Sequence, residues 1–188
     1  MLSLSKLLFV ALALLAPAEA QVYRCDFDPS RSSIDFTLGA TLHTVHGSFP
    51  FKRGSVTFDR ATGKMTGELV ADAASGASGD NGRDRRMHKE ILESARYPEI
   101  VFQPQSAEGP FSGHDVSRLT VTGTFLLHGA GHELKIPLEI DPAQGTLQAQ
   151  FSVPYVMWGI KDPSTFMLRV KNEVEIRIRA AIRLSSDK

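Results

Sequence analysis

Leu119-Thr120-Val121-Thr122-Gly123-Thr124-Phe125-Leu126-Leu127 is the stretch that decides the fold. Apolar or small residues take every odd position and threonines the even ones up to Thr124, which is the period of a strand with one face buried and the other wet. The same alternation recurs on both sides. Upstream it marks Ile34, Phe36 and Leu38, then Val56 and Phe58. Downstream it marks Leu134, Ile136, Leu138 and Ile140, then Phe151 and Val153, then Val174, Ile176, Ile178, Ala180 and Ile182. Strands buried on one face belong to antiparallel sheets.

Turn chemistry separates these runs at hairpin spacing: Asp59 to Gly63, His128 to Gly131, and Asp141 to Gly145 with Pro142 inside it. A set of about eight long strands with short links must hide its edges, and a closed or nearly closed barrel does so. A two-sheet sandwich is the alternative. The chain therefore reads as all-β and antiparallel, with one interruption.

That interruption begins with the small, polar run Ala73 to Asn81 and continues as a charged helix over 83–96. Asp80 or Asn81 can cap it, and Met87, Ile91 and Ala95 share one face at four-residue spacing. Pro98 is the expected stop, because a residue before proline is pushed out of the helical region. Ile100, Val101 and Phe102 then resume a strand. A second irregular stretch, Pro154 to Ser164, mixes aromatics with Gly159 and Pro163 and reads as a wide loop or bulged strand at a barrel mouth.

Residues 1–20 read as an export leader: Lys6, the apolar run Leu7 to Leu15, and the small-x-small site Ala18-Glu19-Ala20. The run stops at Pro17, short of the roughly 20 apolar residues that span a bilayer. Gln21 to Lys188 then forms one domain, secreted or periplasmic. The 21 Lys and Arg residues balance 21 Asp and Glu, which argues against a nucleic-acid binder. Cys25, the single cysteine, cannot pair within the chain and, without a nearby basic cluster to activate its thiol, reads as inert or as an accidental dimer contact.

Four blocks in order carry a resemblance to a known family. They are Ile34-x-Phe36 leading to Val45-x-Gly47-x-Phe49 and Phe58-Asp59; Arg83-Asp84 leading to Tyr97-Pro98-x-Ile100-x-Phe102; Val121-x-Gly123-x-Phe125-x-Leu127-His128-Gly129; and Gly159 leading to Val174-x-Ile176. The chain from Gln21 onward resembles the YceI family of polyisoprenoid-binding, lipocalin-like proteins. The resemblance implies an eight-stranded antiparallel barrel around a long apolar cavity that holds an isoprenoid chain, such as a polyprenyl compound or a quinone tail. It implies no catalytic residues and no cofactor. The chain departs from the commoner pattern at Ala40, at Ala130-Gly131-His132, and in the extra basic residues Arg85 and Arg86.

A pocket for such a chain needs inward apolar side chains and nothing more. The candidates are Phe36, Leu38, Phe49, Phe51, Phe102, Leu119, Val121, Phe125, Leu134, Ile136, Leu138, Phe151, Val153 and Trp158. An eight-stranded barrel can equally pack solid, so these residues could simply fill a core. Arg83, Arg86, His43 and His128 are the candidates for the rim or a ligand headgroup, although Arg83 with Asp84 also suits pinning the helix to the barrel. His43 and His46, three apart on a strand, fall on opposite faces, and no HExxH, CxxC or paired-His helix motif accompanies them. The histidines read as structural or surface residues ahead of metal ligands. No nucleophile elbow, phosphate loop or Ser, His and Asp set is present. The expected function is non-catalytic binding or carriage of an amphiphilic isoprenoid-type lipid. The alternatives are a stress-associated protein-interaction module with a solid core, and a His-dependent metal binder.

Overall fold

A computed structural model describes residues 21–187, so the leader reading of residues 1–20 lies outside the described residues. Nine strands are present among the described residues: β1 (Val22–Gly39), β2 (Thr44–Phe49), β3 (Phe51–Asp59), β4 (Met65–Asp72), β5 (Glu99–Glu108), β6 (Ser117–Leu127), β7 (Ala130–Asp141), β8 (Thr146–Val153) and β9 (Val174–Asp187). β2 and β3 are two halves of one strand. Both run antiparallel to β1, β2 against Ile34–Gly39 and β3 against Val22–Asp26, and the break between them is Pro50, which has no N–H to give to a ladder. Counted so, eight strands follow one another around the sheet, and β1 pairs with β9 along most of its length to close it. The sandwich is excluded by that closure. Every neighbouring pair is antiparallel.

The alternation that opened the sequence reading is present in the barrel wall. On β6, Ser117, Leu119, Val121, Gly123 and Leu127 are buried, whereas Arg118 is exposed and the threonines are half-buried. Bulges accommodate what the pleat cannot. β1 slips register between Asp28 and Ser33, around Pro29, and β5 slips between Pro104 and Ser106, where a proline would otherwise cost a ladder bond.

Connections alternate between the two ends. One end carries the links 60–64, 109–116 and 142–145 together with both ends of the barrel chain. Phe111 folds back there between Tyr23 and Phe58, with ring centroids 4.9 and 5.2 Å away, and seals the floor. The other end carries the links 40–43, 73–98, 128–129 and 154–173, and among them the one α-helix of the described residues, α1 (Asn81–Arg86), which runs on into a wide turn over Met87–Ile91.

Asp80 is the cap, its carboxylate accepting the Arg83 N–H at 2.8 Å. The helix ends earlier than Pro98 would impose. Glu93 sits in the left-handed region at φ 45, and the Ser94 N–H reaches back six residues to the His88 carbonyl, which closes off the wide turn and ends the helix. Ala95, expected on the apolar face, lies beyond that stop and is exposed. Met87 and Ile91 do face the barrel, joined by Leu92. No helix among the described residues is long and apolar enough to cross a membrane.

Candidate functional site

The barrel interior is not packed solid. An upper chamber of about 230 Å³ lies beneath the helix and a lower one of about 150 Å³ sits above the Phe111 floor. Phe49, Ile100, Phe125 and Ile176 line both, so the two chambers meet at a waist made of these four side chains. On β6 the lining extends from Leu119 to Leu127. At about 3.3 Å per residue that is roughly 26 Å of wall, the shape of a slot for a chain rather than for a compact ligand.

Twelve of the fourteen sequence candidates line this interior. Phe36, Leu38 and Val153 face the upper chamber; Phe51, Phe102, Leu119, Val121, Ile136, Leu138 and Phe151 face the lower; Phe49 and Phe125 face both. Leu134 and Trp158 do not. Leu134 packs into the upper core, and Trp158 stacks flat on His132 at 4.2 Å between centroids and 2° between planes. The position of Trp158 has a structural cause. The β7–β8 ladder runs only from Leu138 paired with Ala149 to Asp141 paired with Thr146, whereas β8 continues to Val153 alongside β9 alone. The ring thus covers a stretch of β7 that β8 has left.

The helical period put Met87 and Ile91 on the face that meets the barrel, and both line the upper chamber; sequence reasoning missed Leu92 beside them and Tyr155, Ile160, Pro163, Leu168 and Val170 from 154–173. That loop has no regular period to reveal an inward face. Tyr155 is buried and donates its hydroxyl to the Lys171 carbonyl at 2.6 Å, tying the two ends of this loop together. Burial, with Asp162 nearby, pushes its phenol up to about 12. The Lys171 N–H in turn donates to the Gly39 carbonyl, so the loop hangs from the end of β1.

Polar groups are confined to the mouth. His43, Ser78, Arg83 and Arg86 line the upper chamber, and the lower one is almost wholly apolar. Arg83 is already engaged: its Nε donates to Ser78 Oγ at 2.7 Å and its Nη2 to the Ser78 carbonyl at 2.9 Å. Asp84 accepts both the Ser78 N–H and its hydroxyl. The pair therefore grips the preceding loop, whose Ala77 bridges to Ser48 of β2. Gly47 permits that approach, because a Cβ there would stand 2.4 Å from the Ala77 carbonyl oxygen. Arg86 is less committed, with Glu90 at 3.7 Å. Glu90 is held closer by Lys161, at 2.8 Å, and this pair links the helix to the 154–173 loop across the mouth.

His128 is not at the cavity. With Gly129 it forms a two-residue hairpin turn in which both residues have positive φ, 53 and 79, a tighter turn than the His128 to Gly131 link read from sequence. Its ring lies 4.6 Å from that of Tyr97, and its Nε2 is 3.2 Å from Glu93 Oε1, a close contact without hydrogen-bond alignment. His43 lines the mouth, while His46 points away and meets Thr37 Oγ1 at 3.1 Å. No three His, Cys, Asp or Glu side chains converge among the described residues.

Cys25 faces the lower chamber. Burial, helped by the neighbouring Asp26 charge, pushes its thiol up to about 12. Such a thiol is a small apolar wall element, not a nucleophile.

Solved structures with the same barrel include Burkholderia cenocepacia BcnA, at TM-score 0.67 and 18% identity, over 85% of this chain and 99% of that one. A polyisoprenoid binding domain from Saccharophagus degradans, implicated in plant cell wall breakdown, matches at TM-score 0.63 and 15% identity over 86% and 98%. The Campylobacter jejuni YCEI protein matches at 0.60 and 15% over 79% and 88%. The sequence has no match among curated proteins. The YceI-like domain family matches residues 26–182, nearly the whole closed barrel from the first ladder of β1 into β9, and with that span covered the chain belongs to the YceI family.

Proposed function

We propose that this protein is a non-catalytic carrier that sequesters an amphiphile with a long isoprenoid-type chain, exported by its leader to a periplasmic or extracellular setting. One observation carries the reading: a two-chambered apolar slot, closed at Phe111, whose polar groups Arg83, Arg86 and His43 stand only at the open end. A chain entering there leaves its polar end beside Arg86. The polyisoprenoid binding domain with the same fold supports the choice of an isoprenoid over a straight acyl chain.

The energetics suit a carrier. At about 25 cal/mol per Å² of apolar surface removed from water, each isoprene unit contributes on the order of 1–3 kcal/mol before the entropy of association is subtracted. Binding therefore grows with chain length and needs no catalytic group. Solvent extraction and mass spectrometry of freshly purified protein should recover a polyprenyl or quinone-type lipid. An added polyprenyl phosphate at about 100 times its Kd should raise stability by about 2.7 kcal/mol, or several degrees in Tm. An empty barrel whose Tm does not respond to polyprenyl compounds would falsify this reading.

A further inference from the structure

Five large apolar side chains stand mostly in solvent among the described residues, and four of them, Leu42, Met157, Phe166 and Met167, lie at the mouth end of the barrel. Phe166 and Met167 are 98% and 85% exposed. They form the tip of a turn closed from both sides: the Thr165 N–H donates to the Leu168 carbonyl at 2.8 Å, and the Leu168 N–H donates to Thr165 Oγ1 at 3.1 Å. Turn tips ordinarily carry Gly, Asn, Asp or Pro. A Phe-Met pair held outward by such a turn gains nothing from the fold.

The other two tips stand on the same rim. Leu42 occupies the β1–β2 link, which the Thr41 N–H ties to the Arg169 carbonyl at 2.9 Å. Met157 rides on a turn in which the Trp158 N–H donates to the Pro154 carbonyl and the Gly159 N–H to that of Val156. At the sealed end the one comparable side chain is Val116, at 53%. Apolar tips thus ring the opening of an apolar cavity and are nearly missing from the other end. Exposed apolar patches of this kind mark protein or membrane contacts.

Charge selects between them. The mouth-end links 73–98 and 154–173 carry eight Arg or Lys against six Asp or Glu, in a chain that is neutral overall. Five of those acids are engaged within the fold. Asp80 caps α1, Asp84 holds Ser78, Glu90 takes Lys161, Asp162 accepts the Ser164 N–H, and Glu93 faces His128, while among the bases Arg83 and Lys161 are engaged likewise. Arg85 and Lys89 remain exposed on the helical segment, which the Glu90–Lys161 pair ties to the loop that carries Met157, Phe166 and Met167.

We propose that the mouth end docks onto a lipid bilayer bearing anionic headgroups, Phe166 and Met167 entering the acyl boundary while the basic side chains meet the phosphates. Attachment of this kind scales with buried apolar area plus attraction to anionic lipid. The barrel opening then faces the bilayer, and an apolar chain passes between them without crossing water. That use rests on the proposed function, whereas the docking does not and is tested without any cavity ligand.

The test uses the chain from Gln21, which carries the whole described barrel and omits the apolar run Leu7 to Leu15 that would bind lipid by itself. Flotation with vesicles of phosphatidylethanolamine and phosphatidylglycerol should carry the protein upward, with weaker binding to phosphatidylcholine alone. The Phe166→Ser/Met167→Ser variant should lose about tenfold or more in partitioning, keep its Tm and keep any co-purified lipid. Val116→Ser should float as the parent does. Trp158, the only tryptophan and the neighbour of Met157, should be quenched by brominated lipids in the parent. Failure of the parent to float, or equal flotation of the double variant, overturns the proposal. So does a dimer in solution that the double variant dissolves, since the rim would then be a contact between copies of this chain.

Discussion

At the β6–β7 turn a single glycine joins two of the sequence blocks that carry the family pattern. Gly129 has φ 79, and a Cβ there would stand 2.5 Å from Tyr97 Cε1, so the Tyr97-Pro98 and His128-Gly129 blocks are in contact. Gly129→Ala is expected to cost about 1–3 kcal/mol in backbone strain, plus displacement of the tyrosine ring. Thermal unfolding would register it as a lowered Tm, and an unchanged Tm would mean the turn relaxes freely. The sequence pointed to His128 for its chemistry, as a headgroup contact, whereas its neighbours make it a clasp between the hairpin and the helical segment. A histidine's role depends on what approaches it from elsewhere in the chain, and local spacing does not encode that. Cys25 read as inert for want of a basic cluster, whereas its burial in the wall of the lower chamber is known only from the structure. Its thiol, pushed up to about 12, should resist iodoacetamide at pH 8 in the folded protein and react fully once unfolded. The same shift sets a stability window. Above the ordinary thiol pKa of 9.0 the unfolded chain releases this proton and the folded one does not, so the thiol's contribution is whole below pH 9 and lost as pH rises toward 12.

Elements were read well where periodicity was sustained and poorly where a bulge or a cap set the limit. The long alternations of β6, β7 and β9 stand as strands at the expected positions. The helix stop at Glu93 was invisible, because a non-glycine residue in the left-handed region leaves no mark in the sequence, and Pro98 drew the boundary too far along. The bulge at the start of β3 was equally hidden. Register slips between Phe51 and Arg53, and Lys52 and Arg53 both reach Glu99 across β4, at 2.8 and 2.9 Å. Those two cations, Arg53 foremost, hold the Glu99 carboxyl down to about 2. The stabilising effect is present above the ordinary 4.5 and is lost as pH falls from there toward 2. Glu99→Gln should therefore lower Tm slightly at pH 7, since the group is solvent-screened, and flatten the acid limb of the Tm profile. An identical acid limb in the variant would mean the contacts do not persist in solution.

At the scale of the molecule, a closed barrel was the favoured reading because eight amphipathic strands with short links must hide two edges, but a sandwich stayed open until the β1–β9 pairing excluded it. The hollow interior was expected only through the family resemblance, since in the residue pattern the same Phe, Leu and Val positions serve a solid core or a cavity wall. What leaves this barrel open is the company those residues keep. Long irregular links stand over one end and Phe111 plugs the other, so the upper chamber is roofed by residues with no strand period. The waist at Phe49, Ile100, Phe125 and Ile176 then divides the slot by depth, and only a chain long enough to pass it reaches the lower chamber. Ala149 is a buried wall position of that chamber. Ala149→Phe places a ring in about 150 Å³ of space and should act as a length ruler. Long polyprenyl compounds should lose roughly tenfold or more in affinity, the equivalent of about 1.4 kcal/mol, because one or two terminal isoprene units can no longer be buried. Short ones, held above the waist, should bind as before. Thermal-shift titration with a series of chain lengths separates the two outcomes. Equal loss at every length would place the chain elsewhere than along the barrel axis.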